Sequence, residues 1–475
     1  MSNSTPPIAP GPWQPTRESI ARHCVPEWFE DAKFGMFIDW GLYSVPGWAP
    51  IPEKGPTYPD WYLHLMYTDP RFREYHAKTW GEQFQRDDFL YLFMAREYEP
   101  EQLAETAKRC GMKYVVPFCK HHDGFCLWPC NVTGRDSGKI GPQSDLIGPL
   151  VEACREAGLK FGFYQSLEEW EYPVLAPDGS LLLRVWDTKE DAKIVEYDPA
   201  ALSGRITGKR PVRDYARDYL LPQTMEFINR YDPDLIWFDG DWTGQAETFL
   251  SFHMAAHFYN RAEGRKEVAV NDRYGKTRSQ IGDFFTSEYG EVQGKPFDLA
   301  RGLRHKWEEC RGISQSFGYN RLDTEQNVIS ATQLIHMLVD IVARNGNLLL
   351  VVNLNGEGGL PAMQAARLEE VGRWLAVNGE AIYATRPWDR VAEGDSIRFT
   401  RSKDGRHLYA ICLSWPGGSI TLPGVRPAEG SVVTMLGVDR PLMWRAAGTG
   451  MVIDIPNELH KARPCDHAWV LRFAV

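Results

Sequence analysis

Residues 100–125 read PEQLAETAKRCGMKYVVPFCKHHDGF, a helix, a stop and a strand in succession. Leu103, Ala104, Ala107 and Cys110 recur at helical spacing behind Pro100, and Gly111 is a natural stop. Residues 113–118 then form a short apolar run with paired β-branched residues, as a buried strand does. The run ends in Lys120-His121-His122-Asp123-Gly124-Phe125, a polar segment built to turn.

The same succession recurs outward from this stretch. Leu146, Leu150, Val151, Cys154 and Ala157 form a second amphipathic helix closed by Gly158, followed by a strand at 160–164. Further strands are expected at 34–38, 235–238, 268–270 and 348–352. Apolar runs alternating with amphipathic stretches from about residue 34 to residue 354 describe βα units around a parallel sheet. That length suits a TIM-like (β/α) barrel, and no GxGxxG or GxxxxGK[ST] phosphate loop argues for a doubly wound sheet instead. The fold class is therefore α/β, with the barrel over residues 12–386.

After a helix at 364–377 the register changes near Pro387. Ile397, Phe399, a turn at Asp404-Gly405, then Leu408, Ala410 and Cys412 alternate with period two. More short strands follow near Ile420, Val432, 451–455 and 469–473, so residues 387–475 read as a small C-terminal β-sandwich.

The chain has 475 residues, 43% apolar and 24% charged, which supports a large core and excludes disorder as the main state. A net charge of −10, with no long run of one sign, leaves no basic footprint for nucleic acid or an anionic membrane. No apolar stretch approaches the roughly 18 residues of a membrane span. The N-terminal MSNSTPPIAPGPWQP has neither a basic segment nor a continuous apolar core, so a cytoplasmic protein is expected. Nine cysteines without a CxxC pair point to reduced thiols. Aromatic residues make up 12% of the chain, and such rings are stacking platforms for sugar faces as well as core fillers.

In a parallel barrel the residues that act follow the strands. Here those positions are polar: Asp39-Trp40-Gly41, the Lys120–Phe125 segment, Asp239-Gly240-Asp241-Trp242 and Asn271-Asp272-Arg273. Each has an ordinary alternative. Asp-Gly after a strand is often only a turn, and Arg273 could serve a structural ion pair. His121 and His122 are adjacent on an extended segment and point to opposite sides, with no third metal ligand placed by spacing, so hydrogen bonding to a hydroxylated ligand is favoured over a metal site. Trp40, Trp48, Trp61 and Trp242 could each be core residues; their concentration beside polar strand ends suggests a sugar platform.

The strings KFGMFIDWGLYSVPGW, YPDWY, KHHDGFCLW, FGFYQSLEEW, DLIWFDGDW, NDR, DFFTSEY, SFGYNR and GNLLLVVNLNGEG occur in this order. The series resembles the α-L-fucosidases, glycoside hydrolase family 29, over about residues 28–390 and more weakly into the sandwich. The resemblance implies a retaining exo-glycosidase that uses no cofactor or metal, with the aspartate of WFDG, Asp239, as nucleophile. It implies the glutamate of TSEY, Glu288, as acid/base residue, with Glu291, Glu308 and Glu309 as fallback candidates. Two carboxyl groups in these roles suit double displacement through an oxocarbenium-like transition state. The implied sugar shell is Trp61, His121, His122, Tyr164, Arg273 and Phe317, together with Asp39, Trp40 and Asp60.

Two positions depart from the family pattern: Asp39 stands where the family has histidine, and Asp60 stands where many relatives have glutamate. Both family positions contact fucose hydroxyls, so three readings remain. They are an α-L-fucosidase, an α-L-glucosidase or α-L-galactosidase with low fucosidase activity, and a carbohydrate-binding protein without turnover. The last would be expected to show decay at Asp239 or Glu288, and neither has decayed. The expected partner is an oligosaccharide or glycoside, with segments 50–59 and 172–198 as rim loops; oligomeric state, linkage and aglycone are not encoded in any readable motif.

Overall fold

The computed structural model describes residues 5–186, 192–198, 204–276, 278, 281–292 and 295–475. Eight parallel strands form its centre: β1 Phe34–Asp39, β2 Tyr114–Lys120, β3 Lys160–Ser166, β4 Leu235–Asp239, β5 Ala269–Val270, β6 Phe285–Glu288, β7 Trp307–Gly312 and β8 Gly346–Asn353. Their spatial order is β6-β7-β8-β1-β2-β3-β4-β5, every neighbouring pair parallel. A parallel bridge from Asn271 to Phe284, just past β5 and just before β6, closes the ring. All strands therefore point their C-terminal ends to one face, where a (β/α) barrel collects its acting side chains.

The six expected strands are present, and β6 and β7 are added to them. Their sequences, FTSE and WEECRG, lack the apolar run by which a buried strand is recognised. They are buried all the same, because their polar groups are answered inside the barrel. The Glu308 carboxylate accepts hydrogen bonds from Trp237 Nε1 at 2.9 Å and from the Tyr114 hydroxyl. A buried polar group so satisfied loses most of the penalty that would keep it out of a core.

The expected helices are Pro100–Arg109 and Gly148–Ala157, which bury Leu103, Ala104 and Ala107 and Leu150, Val151 and Cys154 against the barrel. Gly158 ends the second in the left-handed region at φ 75°, which a residue without Cβ adopts freely. The segment expected as a rim loop at 172–198 is instead an antiparallel sheet of Glu171–Leu175, Leu181–Val185 and Lys193–Glu196, with residues 187–191 outside the described part. Its first turn is set locally: Asp178 accepts from the Ser180 amide at 2.9 Å and hydroxyl at 2.7 Å, and Gly179 takes a positive φ.

Beyond the helix Ala362–Asn378 a six-stranded antiparallel sheet opens with Thr385–Glu393 and includes Ile397–Ser402, His407–Cys412 and Trp469–Ala474. A three-stranded sheet of Ser419–Leu422, Gly450–Asp454 and Trp444–Ala447 faces it. Phe399, Leu408, Leu471, Met451 and Ile453 fill the space between. The sandwich is tied to the barrel by polar contacts: Trp374 Nε1 donates to the Ala468 carbonyl at 2.9 Å and Thr400 to the Ala381 carbonyl at 2.7 Å. Seven of the nine cysteines are buried as free thiols, and Cys24 is exposed. Among the described residues no helix is long and apolar enough to cross a membrane.

Candidate active site

Asp239, Glu288 and Asp39 are the last residues of β4, β6 and β1, while Lys120 ends β2 and is followed by His121 and His122. The His121–Gly124 turn is fixed from below. Lys120 Nζ donates to Glu169 at 2.9 Å with both side chains fully buried, and Asp123 accepts from the Phe125 amide at 2.7 Å. Arg273 lies just past β5, and Tyr164 is within β3. These elements surround a cavity of about 520 Å³ at the C-terminal face. Asp60, His121, Tyr164, Asp239, Arg273 and Glu288 supply its polar wall, and Trp61, Phe118, Trp237, Trp242 and Phe317 its apolar one. A small pocket with an apolar wall and a few convergent polar groups is what a sugar ring requires.

Asp239 is 7% exposed and doubly held: Tyr164 donates its hydroxyl to Oδ2 at 2.7 Å and Arg273 donates to Oδ1 at 2.6 Å. Burial alone would raise this carboxyl, but the Arg273 charge and the two hydrogen bonds outweigh it and hold Asp239 below the ordinary carboxylate range. The result is an anion at neutral pH, with little water around it. Tyr164 is itself fixed by Phe118, stacked on its ring at 3.9 Å. Arg273 lies over the Trp237 ring at 4.3 Å and spans both carboxylates, its second amino group 3.4 Å from Glu288. Glu288 also accepts from the Tyr58 hydroxyl at 2.9 Å.

Both histidines are neutral. Burial pulls His122 down to about 4 and His121 well below its ordinary value. His122 engages Ser166 through Nδ1 and presents Nε2 3.7 Å from Asp239, behind the cavity wall. His121 places Nε2 3.6 Å from Asp60, with Nδ1 unpartnered.

Asp60 lines the cavity, and Asp39 lies fully buried beside it without lining it. Gly318 brings the two together. At φ +99° its backbone passes so close that an added Cβ would stand 2.9 Å from the Asp60 amide and 3.3 Å from Asp39 Oδ2. Among the described residues Oδ1 of Asp60 has no hydrogen-bond partner, and the Asp39 carboxyl and the Tyr43 hydroxyl face each other outside ordinary hydrogen-bond geometry. Burial raises Asp39 to about 7; burial and the Asp39 charge raise Asp60 well above its usual range. Asp39 and Asp60 thus form a buried carboxyl pair whose affinity for protons is raised, first by burial.

Trp40 is placed elsewhere than expected. Its ring stacks on Tyr98 at 4.7 Å and its Nε1 donates to the Asn355 carbonyl, which makes it a core residue and not a cavity wall. Of the fallback carboxylates, Glu291 is exposed at the rim, whereas Glu308 and Glu309 are buried and engaged within the barrel wall. Tyr58 and Arg278 line the cavity without having been expected to. Tyr58 sits two residues before Asp60 in YPDWY, so that motif could have pointed to it; Arg278 follows no strand and carries no such signal.

Among the described residues no group of three or more His, Cys, Asp or Glu side chains is arranged to hold a metal ion. His121 lines the cavity beside Asp60, whereas His122, expected in the sugar shell, lies behind the wall between Ser166 and Asp239. A chelator is therefore expected to leave turnover unchanged, measured as initial rate before and after dialysis against EDTA. Loss on chelation with recovery on added zinc would reassign both histidines.

Comparison with known proteins places this cavity in context. Residues 1–380 match the alpha-L-fucosidase family and residues 391–474 the alpha-L-fucosidase C-terminal domain. An alpha-L-fucosidase of Branchiostoma floridae is 32% identical over 470 residues, covering 97% of this chain and 95% of that one. A crystal structure of Thermotoga maritima alpha-fucosidase with a mechanism-based inhibitor superposes with a TM-score of 0.78 at 35% identity, covering 98% of this chain and 100% of that one. The same enzyme in complex with fucose gives 0.76 at 35% identity, with the same coverage. With both of its domains matched and its strand-end carboxylates gathered in one sugar-sized cavity, the chain belongs to the α-L-fucosidase family of glycoside hydrolases.

Proposed function

We propose that this chain is a retaining, exo-acting α-L-glycosidase that releases terminal α-L-fucosyl or closely related α-L-hexosyl residues from glycosides. Asp239 attacks the anomeric carbon and displaces the aglycone, while Glu288 gives its proton to the departing oxygen. Glu288 then takes a proton from the water that cleaves the Asp239 glycosyl ester, so the two steps together retain the anomeric configuration. The observation that carries this reading is Arg273, which contacts both carboxylates in one buried cavity and keeps Asp239 charged. Tyr164 and His122 bear on the same carboxylate, and Trp61 and Phe317 supply apolar walls for the ring.

Following the product by NMR during hydrolysis of a nitrophenyl α-L-glycoside tests the mechanism. The first-formed sugar is expected to be the α-anomer. Initial release of the β-anomer would replace double displacement by inversion, which needs carboxylates roughly 6.5–9.5 Å apart with a water between them.

The preferred sugar is a separate matter, and the Asp39–Asp60 corner favours a second reading. Oδ1 of Asp60 stands there without a partner among the described residues, and the Asp39 carboxyl has the Tyr43 hydroxyl beside it outside ordinary hydrogen-bond geometry. A buried polar atom left unpaired forfeits roughly 1–3 kcal/mol. A sugar hydroxyl reaching that corner would recover part of this, which supports an L-hexose with a hydroxyl that fucose does not present, either an equatorial O4 or an added O6. A panel of nitrophenyl α-L-fucoside, α-L-glucoside and α-L-galactoside separates the two readings by their kcat/KM values. Absence of turnover with all three would leave only the carbohydrate-binding alternative.

A further inference from the structure

Glu309 is a buried carboxylate that the mechanism above does not use. It sits on β7 directly opposite Ser287 on β6, one residue before Glu288, and is 5% exposed. Both of its oxygens are taken. Oε2 accepts from the Ser287 hydroxyl, and Oε1 accepts from the Gly290 amide at 2.8 Å. The two donors lie on either side of Glu288 and Tyr289, so one side chain grips the turn at both ends. The turn needs a grip, because Tyr289 is in the left-handed region at φ 49°, which a bulky residue rarely adopts. Two further contacts come from β7: the Tyr289 amide donates to the Cys310 carbonyl at 3.3 Å, and the Gly312 amide donates to the Tyr289 hydroxyl at 3.1 Å.

From this bracket we infer that Glu309 is a positioning residue for Glu288: it holds the end of β6 so that the Glu288 carboxyl faces the glycosidic oxygen. The inference rests on the reading of Glu288 as the acid/base residue. A general acid works only within hydrogen-bond reach of the oxygen it protonates, and a displacement of about 1 Å costs on the order of 10²-fold in rate. The pairing of β6 with β7 sets the face to which Glu288 points, and Tyr58 and Arg273 engage its carboxyl; the clamp across Glu288 and Tyr289 fixes the strand end that carries it. Burial raises Glu309 to about 7, and the two accepted hydrogen bonds favour its ionised form.

The test separates acid catalysis from general damage by varying the leaving group. Aryl α-L-glycosides of the sugar turned over best are compared by kcat/KM, from strongly acidic to weakly acidic phenols. A good leaving group departs without a proton, so a misplaced acid leaves it unaffected. Glu309→Ala is expected to lower kcat/KM by roughly 10- to 100-fold for the weakly acidic phenols and by no more than about twofold for the most acidic one. Ser287→Ala, which removes one half of the bracket and keeps the carboxylate, should show the same dependence more weakly, and it carries the test if Glu309→Ala fails to fold. Glu309→Gln, which retains an acceptor oxygen for Gly290, should recover part of the loss.

Equal loss across the series, or no loss at all, would overturn the positioning role. Glu288→Ala is measured in parallel. If it shows no dependence on leaving group, the acid/base reading itself fails; if it does and the Glu309 and Ser287 variants do not, only the inference about Glu309 fails.

Discussion

Asp239→Asn is expected to lower kcat by about 10⁴-fold or more, the scale on which removal of a covalent nucleophile acts. The carboxylate lies at the end of β4 with its two oxygens engaged separately by Arg273 and Tyr164, so Asn removes the nucleophile and keeps one acceptor oxygen for Arg273, while the Tyr164 hydroxyl can turn to accept from the amide. Ala would leave a buried guanidinium with Glu288, at 3.4 Å, as its remaining carboxylate in the site. Both variants break the buried ion pair with Arg273, at a cost of roughly 3–5 kcal/mol, but Asn keeps the side-chain volume and one hydrogen bond and is therefore the variant to trust for fold and binding. Product sugar should still bind it, measured by calorimetry, because Asp60, His121 and Trp61 are untouched. Azide added to Asp239→Ala should restore turnover and yield a glycosyl azide of inverted configuration. A variant with wild-type rates would remove Asp239 from the mechanism.

Asp39→His should raise kcat/KM for α-L-fucoside relative to α-L-glucoside by roughly 10- to 100-fold, the range that corresponds to pairing or orphaning one buried polar group. In the wild-type chain the fucoside value is expected to be low for a member of this family. Asp39 and Asp60 are both buried, the Asp39 charge raises the affinity of Asp60 for a proton, and Asp60 Oδ1 has no partner among the described residues. Fucose has no 6-hydroxyl and leaves that corner less satisfied than a hydroxylated L-hexose would. Histidine replaces one carboxyl of the pair by one acceptor and one donor, removes a buried acid, and takes up more of the space behind Asp60. Because Asp39 does not line the cavity, its effect passes through Asp60 and the surrounding hydrogen bonds. Efficient fucoside hydrolysis by the unmodified chain, without measurable turnover of any 6-hydroxylated L-hexoside, would defeat this expectation.

Much of the architecture follows from local sequence. Helix 100–110, its glycine stop and the strand after it are set by apolar spacing and by the backbone freedom of glycine, both of which act over a few residues. The polar strand ends at Asp39, His121, Asp239 and Arg273 follow from the same reasoning, because a barrel turns every strand end to one face. The residue strings that resemble family 29 point to Asp239 and Glu288 by motif alone.

Other features depend on residues far apart in the chain, and only the tertiary structure decided them. β6 and β7 are strands although their sequences are polar, because Trp237 and Tyr114 from other strands satisfy Glu308. Trp40 is core and Trp61 is cavity wall, although both follow an aspartate, because Tyr98 and Asn355 receive one ring while the other faces open space. Asp39 and Asp60 meet at one corner beside the close passage of Gly318, more than 250 residues away in the chain. Residue type and periodicity specify which face of an element is buried; which groups share a proton, a guanidinium or a clamp depends on the three-dimensional approach of elements whose spacing in sequence carries no such information.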